Sequence, residues 1–361
     1  MPLRVTVVSH ACVVASNQSP YVELSSSCDV TLVVPERWRD TLRPEGYTAE
    51  RSAQFTGRFL PVRTVGVGHP QRHFSLVGAT KLLTQACAEF VVIEEEPFSM
   101  SALKWSRAAH RLGIPFAVQV AENLPKKLPA PLEHRCRRIL EQCSFVLSRS
   151  PAALERAVEW GYRGPPTLIV HGVDDVADAP VEHPSGVVGF VGRLVDAKGV
   201  DDLARALQSR ATLNLRVAGE GPRRDAFSRL GERAVLLGTL SGDDMSAFYE
   251  SVSVLAVPSR TTPTWSEQFG RVIIEAAARA TPVVAYDSGE IPWVGAELGA
   301  ELVTEGDVAA LGERLDSIAS DPTRARELGE RARLAVSARF SNHAVARALE
   351  AAISDAVARP R

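Results

Sequence analysis

No apolar run in this 361-residue chain approaches the roughly 18 residues of a membrane span. The first residues, MPLRVTVVSH, enter an apolar strand at once and lack the apolar core and cleavage pattern of a signal peptide. Cysteine is scarce: Cys12, Cys28, Cys87, Cys136 and Cys143 form no CxxC pair and no metal-ligand spacing. An odd number, all in the first half, reads as reduced, mostly buried thiols. Together these features predict a cytoplasmic protein. Neither sign of charge dominates. The formal charge is −2, slightly positive before residue 176 and slightly negative after it, which argues against a dedicated nucleic-acid binder. Internal repeats and low-complexity tracts are missing, which argues against solenoids and disordered arrays. What is present is an ordinary globular composition, 45% hydrophobic and 23% charged, over a length that suits two domains with separate cores.

Strand-like runs alternate with helical stretches along the chain. In the first half LRVTVVS (3–9), DVTLVVPE (29–36), FLPVRTV (59–65), EFVVIEEEP (89–97), IPFAVQVAEN (114–123), SFVLSRS (144–150) and TLIVHG (167–172) read as strands. Helices are predicted from Pro20, over 75–87, 99–113 and 131–142, and through Trp160. Residues 37–58 show no usable pattern. The polar, aperiodic 173–186 contains two prolines and reads as an interdomain connection. A second series follows: strands in 187–194, 212–222, 234–240 and 252–259, helices at 200–208 and 244–251, and closing helices at 306–319, 322–337 and 342–358. This rhythm implies right-handed crossovers and doubly wound parallel α/β sheets. The predicted division is 1–172, a linker at 173–186, 187–340, and a final helical segment at 341–361.

The most informative stretch is PSRTTPTWSEQFGRVIIEAAARATPVVAYDSGEIP (258–292). An apolar strand ends, a polar loop follows, a helix is predicted from Phe269 to Ala280, and PVVAY begins another strand. Ligands of open parallel sheets bind at such strand-end loops. The helix mouth near Phe269, Gly270, Arg271 and Val272 offers backbone N–H groups suited to an anion. Glu267 lies in the loop and Glu275 in the helix. Carboxylates so placed can accept hydrogen bonds from vicinal hydroxyls, as in a sugar or ribose. Two solvated glutamates near a helix start are the plain alternative.

SEQFGRVIIEA followed by TPVVAYDSGEIP resembles the donor-binding signature of the family-4 retaining glycosyltransferases of the GT-B fold. The resemblance runs through most of 187–340 and more loosely over the rest. It implies two Rossmann-like domains facing a central cleft, with a last helix crossing back to the first. It also implies metal-independent transfer of a hexose-type sugar from a nucleotide-diphosphate sugar to a hydroxyl acceptor (small molecule, glycan or lipid-linked). The anomeric configuration would be retained, and the donor phosphate would receive the acceptor proton. In GFVGRLVDAKG (189–199), Arg193 and Lys198 match the family's diphosphate clamp, with Gly192 before it. AGEGP (218–222) places Gly219 and Gly221 beside the nucleotide. Glu267 is then assigned to donor-sugar hydroxyls and Glu275 to ribose hydroxyls. Ser288, Gly289 and Glu290 form another strand-end turn.

Acceptor candidates lie at strand ends of the first domain: Asn17, Gln18, Glu95, Glu96, Glu122, Asn123, Arg149 and His171. Asn123 stands where many relatives carry a histidine near the reacting centre, so His10 is the substitute catalytic candidate, with a satisfied strand-end histidine as its rival reading. The loop SHACVVASNQSP lacks the glycine-rich turn of many relatives. His134, Arg135, Arg137 and Arg138, with Lys126 and Lys127, read as a solvated face or an anionic-acceptor site, and peripheral membrane contact is the lesser reading. An epimerase of the same fold and a non-catalytic nucleotide-sugar binder are the alternatives. No metal or cofactor is expected, since no DxD motif is present.

Overall fold

A computed structural model describes residues 1–39, 45–174 and 181–359. The chain divides into two compact units, Met1–Gly172 with Asn342–Arg361, and Val173–Ser341. The connection predicted at 173–186 falls partly, at 175–180, outside the described residues.

The first unit is built on a six-stranded parallel sheet. Its strands are β1 (Arg4–Ser9), β2 (Asp29–Pro35), β3 (Arg58–Val62), β4 (Phe90–Glu94), β5 (Phe116–Val120) and β6 (Phe145–Ser148), in the order β6-β5-β4-β1-β2-β3. Helices α1 (Ser19–Leu24), α2 (Ala79–Gln85), α3 (Met100–Leu112), α4 (Ala130–Gln142) and α5 (Pro151–Glu159) belong to it. Residues 5–9 of β1 and 90–93 of β4 are buried throughout, as expected for strands covered on both faces. Ser99 caps α3 by accepting the Ala102 N–H, and Ser150 caps α5 by accepting that of Ala153.

The second unit repeats the plan with β7 (Val187–Val191), β8 (Asn214–Ala218), β9 (Ala234–Gly238), β10 (Val254–Val257), β11 (Val283–Tyr286) and β12 (Glu301–Val303), in the order β9-β8-β7-β10-β11-β12. Its helices are α6 (Val200–Gln208), α7 (Asp243–Glu250), α8 (Arg271–Ala278), α9 (Ile291–Leu298), α10 (Val308–Ala319) and α11 (Pro322–Arg339). The final helix, α12 (Asn342–Ala358), packs on α1 and so returns to the first unit. Among the described residues no helix is long and apolar enough to cross a membrane.

Three expectations differ in detail. TLIVHG forms only an isolated bridge, Leu168 to Ser148, and no strand. Pro165 and Pro166 precede it, and the Arg149 guanidinium takes the Ile169 and Val170 carbonyls at 3.0 and 3.3 Å, oxygens that a ladder would otherwise use. The helix predicted over 75–87 begins at Ala79, because Phe74–Ser75 pairs antiparallel with Thr64–Val65. The one predicted from Phe269 begins at Arg271, because Gly270 is left-handed at φ 80°. All five cysteines are free thiols, and only Cys87 is exposed.

Burial anchors α12 within the first unit. Ile353 is 0% exposed, so Ile353→Ala should lower unfolding stability by about 2–5 kcal/mol in a urea titration. A loss below about 0.5 kcal/mol would mean that the helix is not packed as described.

Candidate functional site

In the second unit the chain runs outward from β7 to β8 and β9, then returns to β10 on the other side of β7. Loops leaving β7 and β10 therefore diverge, and the gap between them is where an open parallel sheet accepts a ligand. The two loops are tied together. The Arg260 N–H donates to the Ala197 carbonyl at 2.8 Å. A Cβ on Gly199 would stand 1.8 Å from the Pro258 carbonyl oxygen, so no larger residue fits without moving backbone. Asp202, buried in α6, accepts from Arg260 Nε at 2.7 Å and from the Tyr286 hydroxyl at 3.3 Å, which pins the second loop to the sheet.

Lys198 and Glu267 meet across that gap. Lys198 Nζ donates to Glu267 Oε2 at 2.5 Å, and Ser259 Oγ donates to the same oxygen at 3.3 Å. Glu267 Oε1 accepts the Gly270 N–H at 3.3 Å. Lys198 Nζ also sits 4.7 Å from the centre of the Trp265 ring, a cation–π contact. The pair is mostly buried, with side chains 20% and 13% exposed. Beside it α8 begins, and the first N–H groups of a helix have no intrahelical acceptor.

Gly192 adjoins this pair: a Cβ there would lie 4.0 Å from Lys198 Cδ. Arg193 follows it, exposed and without an ion-pair partner among the described residues. Gly219 lies against Gly192, since a Cβ on it would meet the Gly192 carbonyl oxygen at 1.9 Å, and Gly221 abuts Leu194 in the same way. Glu275, one turn into α8, accepts from the Tyr249 hydroxyl at 2.8 Å and lies 3.6 Å from Arg271. Burial, then the charge and hydrogen bond of Glu275, push the Tyr249 phenol well up, so it keeps its proton. Phe269 is buried against Trp293 and Phe340, while Val272 is half-buried. Ser288 Oγ donates to the Ser259 carbonyl at 2.5 Å and supports the loop.

The first unit has a reversal of its own, between β1 and β4. His10 follows β1 and Glu95 follows β4. Glu95 is 1% exposed; its Oε1 accepts the His10 backbone N–H at 3.0 Å and faces His73 Nε2 at 3.2 Å, and its Oε2 faces His10 Nδ1 at 2.8 Å. Burial would raise the Glu95 pKa, but the charge and hydrogen bond of His10, then those of His73, pull it down to about 2. His10, His73 and Glu95 are the one set among the described residues compact enough to chelate a metal, with ligand atoms within 4.8 Å of one another. In this structure His10 Nδ1 and His73 Nε2 each face a carboxylate oxygen of Glu95. Glu94 pairs with Arg149, which also reaches Gln119 Oε1 at 2.8 Å.

The other acceptor candidates are placed as follows. Asn17 Nδ2 donates to the Ala11 carbonyl at 2.8 Å, and the buried Gln18 donates to Cys12 and Glu50 carbonyls at 2.8 and 2.7 Å, so both brace the loop after β1. Glu96 accepts the Ala121 N–H at 2.8 Å; burial raises its pKa to about 7 against the pull of that hydrogen bond. Glu122 pairs with Lys126 at 3.0 Å, and Asn123 follows it after β5. Sequence reasoning missed Trp265, Ser259, Tyr249, Trp38 and His73. Trp265 lay in view two residues before Glu267, whereas nothing in the irregular stretch around His73 marked it.

Residues 175–335 match the sequence model of a family described as glycosyl transferases group 1. The chain is 28% identical over 303 residues to the 2-deoxystreptamine N-acetyl-D-glucosaminyltransferase of Streptomyces fradiae, covering 76% of this chain and 65% of that one. It is 30% identical over 194 residues to a GDP-mannose-dependent alpha-mannosyltransferase of Mycolicibacterium smegmatis, covering 53% and 44%. The chain spans less than two thirds of the length of the curated relatives it matches, from 20% to 65%. Solved structures align over nearly the whole chain. A glycosyltransferase from Rickettsia africae superposes with a TM-score of 0.74 at 16% identity, covering 99% of this chain and 100% of that one. The Anabaena protein HepE, in complex with UDP and glucose, gives 0.70 at 16%, covering 98% and 100%. The fold is GT-B.

The Glu95 cluster generates a pH signature. With a folded pKa near 2 against 4.5 unperturbed, Glu95 contributes stability that is present above pH 4.5 and lost as pH falls toward 2. Urea titrations should find Glu95→Gln less stable than the parent by about 3 kcal/mol near neutral pH, the gap closing over that acid window. A variant that tracks the parent at every pH would contradict the charge state assigned here.

Proposed function

We propose that the chain is a glycosyltransferase that moves a hexose-type sugar from a nucleotide-diphosphate sugar to an acceptor hydroxyl, with retention of anomeric configuration and without a metal. The carrying observation is the Lys198–Glu267 pair at the strand-order reversal of the second unit. The group 1 match over 175–335 and the nucleotide-sugar donor in the name of the mannosyltransferase relative support the same reading, as does UDP-glucose in a HepE complex. Five free thiols support a reducing compartment, the cytoplasm.

In this reading the unliganded site neutralises itself. Lys198 occupies Glu267 until a donor arrives; the diphosphate then competes for the ammonium, and sugar hydroxyls take its place on the carboxylate. Arg193 adds a second cation for the leaving group. The N–H groups at the start of α8, from Gly270 to Val272, hold a phosphate or sugar oxygen. Glu275, oriented by Tyr249, takes the ribose hydroxyls. Gly192, Gly219 and Gly221 allow backbone to lie close to the nucleotide. Two cations can carry the diphosphate charge, and catalysis is then positioning and charge stabilisation.

A melting-temperature panel of UDP and GDP tests the reading, because a ligand at 100 times its Kd stabilises by about 2.7 kcal/mol. One of the two should stabilise the parent, and Lys198→Ala should abolish that shift. Arg193→Ala should reduce diphosphate release from the matching nucleotide sugar by on the order of 10²-fold with its circular dichroism unchanged. Full activity in Arg193→Ala would remove the clamp assignment.

A further inference from the structure

The donor-side assignment leaves His10, His73 and Glu95 without a task, and what they can hold is independent of the glycosyltransferase reading. All three belong to the first unit. His10 follows β1 and Glu95 follows β4, at that unit's strand-order reversal, while His73 comes from the turn that joins Thr64–Val65 to Phe74–Ser75. Three separate segments thus bring two imidazoles and a carboxylate together, a donor set that suits zinc and similar divalent transition metals. Neighbouring groups stay outside the set: Arg149 takes Glu94, and the Cys12 thiol donates to the Asn17 carbonyl at 3.3 Å.

The surroundings aim the right lone pairs at one point. His73 Nδ1 faces the Pro70 carbonyl at 3.0 Å and the His69 carbonyl at 3.3 Å, both acceptors, so that nitrogen carries a proton. In the neutral ring Nε2 is then a lone pair, and it points at Glu95 Oε1, 3.2 Å away and also an acceptor. Two acceptors face to face need a cation between them, a proton or a metal ion. His10 Nδ1 stands 2.8 Å from the other carboxylate oxygen, and the His10 backbone N–H orients Oε1 at 3.0 Å. Carbonyls behind a histidine and an N–H on a carboxylate are the outer partners that orient metal ligands. An ion 2.0–2.1 Å from each ligand atom needs those atoms about 3.3 Å apart. The two nitrogen–oxygen distances are close to that and all three atoms lie within 4.8 Å of one another, so small side-chain rotations close the set. Trp38 walls one side, its ring centre 4.6 Å from that of His10 and 5.0 Å from that of His73. The His10 side chain, 21% exposed, leaves a way in.

We propose that His10 Nδ1, His73 Nε2 and Glu95 form a site for a divalent transition-metal ion of the zinc type, with water as its fourth ligand. The ion staples the 66–73 turn to the loops after β1 and β4. Its binding releases to solvent the proton held between His73 and Glu95 and leaves the His10 proton on Nε2. No step of the proposed transfer passes through it, and the diphosphate charge stays with Arg193 and Lys198.

The test uses the full-length chain, stripped with EDTA and titrated with zinc, and needs no nucleotide sugar, so its failure leaves the transferase reading untouched. The parent should retain a single zinc per chain through gel filtration, melt at a higher temperature with zinc than without, and exchange its amide hydrogens more slowly over 66–73. His10→Gln and His73→Gln should each weaken zinc binding by on the order of 10²-fold or more. His69→Gln changes an exposed side chain four residues before His73 and keeps the carbonyl behind it, so it should bind zinc as the parent does. Circular dichroism of each metal-free variant checks folding; if the buried His73→Gln does not fold, the partly exposed His10→Gln decides. A parent that retains no zinc overturns the proposal. So does His10→Gln that binds zinc as tightly as the parent, or an equal loss in His69→Gln, which would mean adventitious binding by surface histidines.

Discussion

A parallel sheet wound in one hand can open a crevice at its carboxyl edge only where the order of its strands reverses. Both units obey that constraint, and each gathers paired charged side chains there. In the second unit the reversal lies between β7 and β10, and it brings the turn of Gly192 to Lys198 against the loop of Ser259 to Gly270. In the first it lies between β1 and β4, and it brings His10 to Glu95. Lys198 and Glu267 stand 69 positions apart and His10 and Glu95 85 apart, so local structure cannot bring either pair together. Only a crossover that returns to the far side of the starting strand does it.

Charge at both reversals is held in matched pairs. Lys198 neutralises Glu267, Arg149 neutralises Glu94, and two histidines share Glu95. Leaving any one of these mostly buried ions alone would cost several kcal/mol, so the sites are polar without being strained. Arg193 differs: it is exposed and has no ion-pair partner among the described residues.

Much of the architecture was legible because burial on both faces forces a parallel strand to be a continuous apolar run. Arg4–Ser9, Val187–Val191 and Val283–Tyr286 stand out for that reason. Edge and loop segments were harder to read. TLIVHG has the composition of a strand, yet the Arg149 side chain claims its carbonyls, and no periodicity could reveal a guanidinium from another loop.

The amino-acid order by itself determined the two α/β series, the glycine turns, the amphipathic last helix and the presence of Arg193, Lys198, Glu267 and Glu275 at strand or helix ends. These are local consequences of side-chain size, backbone freedom and hydrophobic period. Tertiary structure alone decided which charges meet: that Lys198 rests on Glu267 and Trp265, that Tyr249 orients Glu275, and that His73, from a segment without pattern, completes a cluster with His10 and Glu95. The reason is range. Propensity acts over a few residues, whereas an ion pair between distant loops exists only once the sheet has fixed where each loop begins.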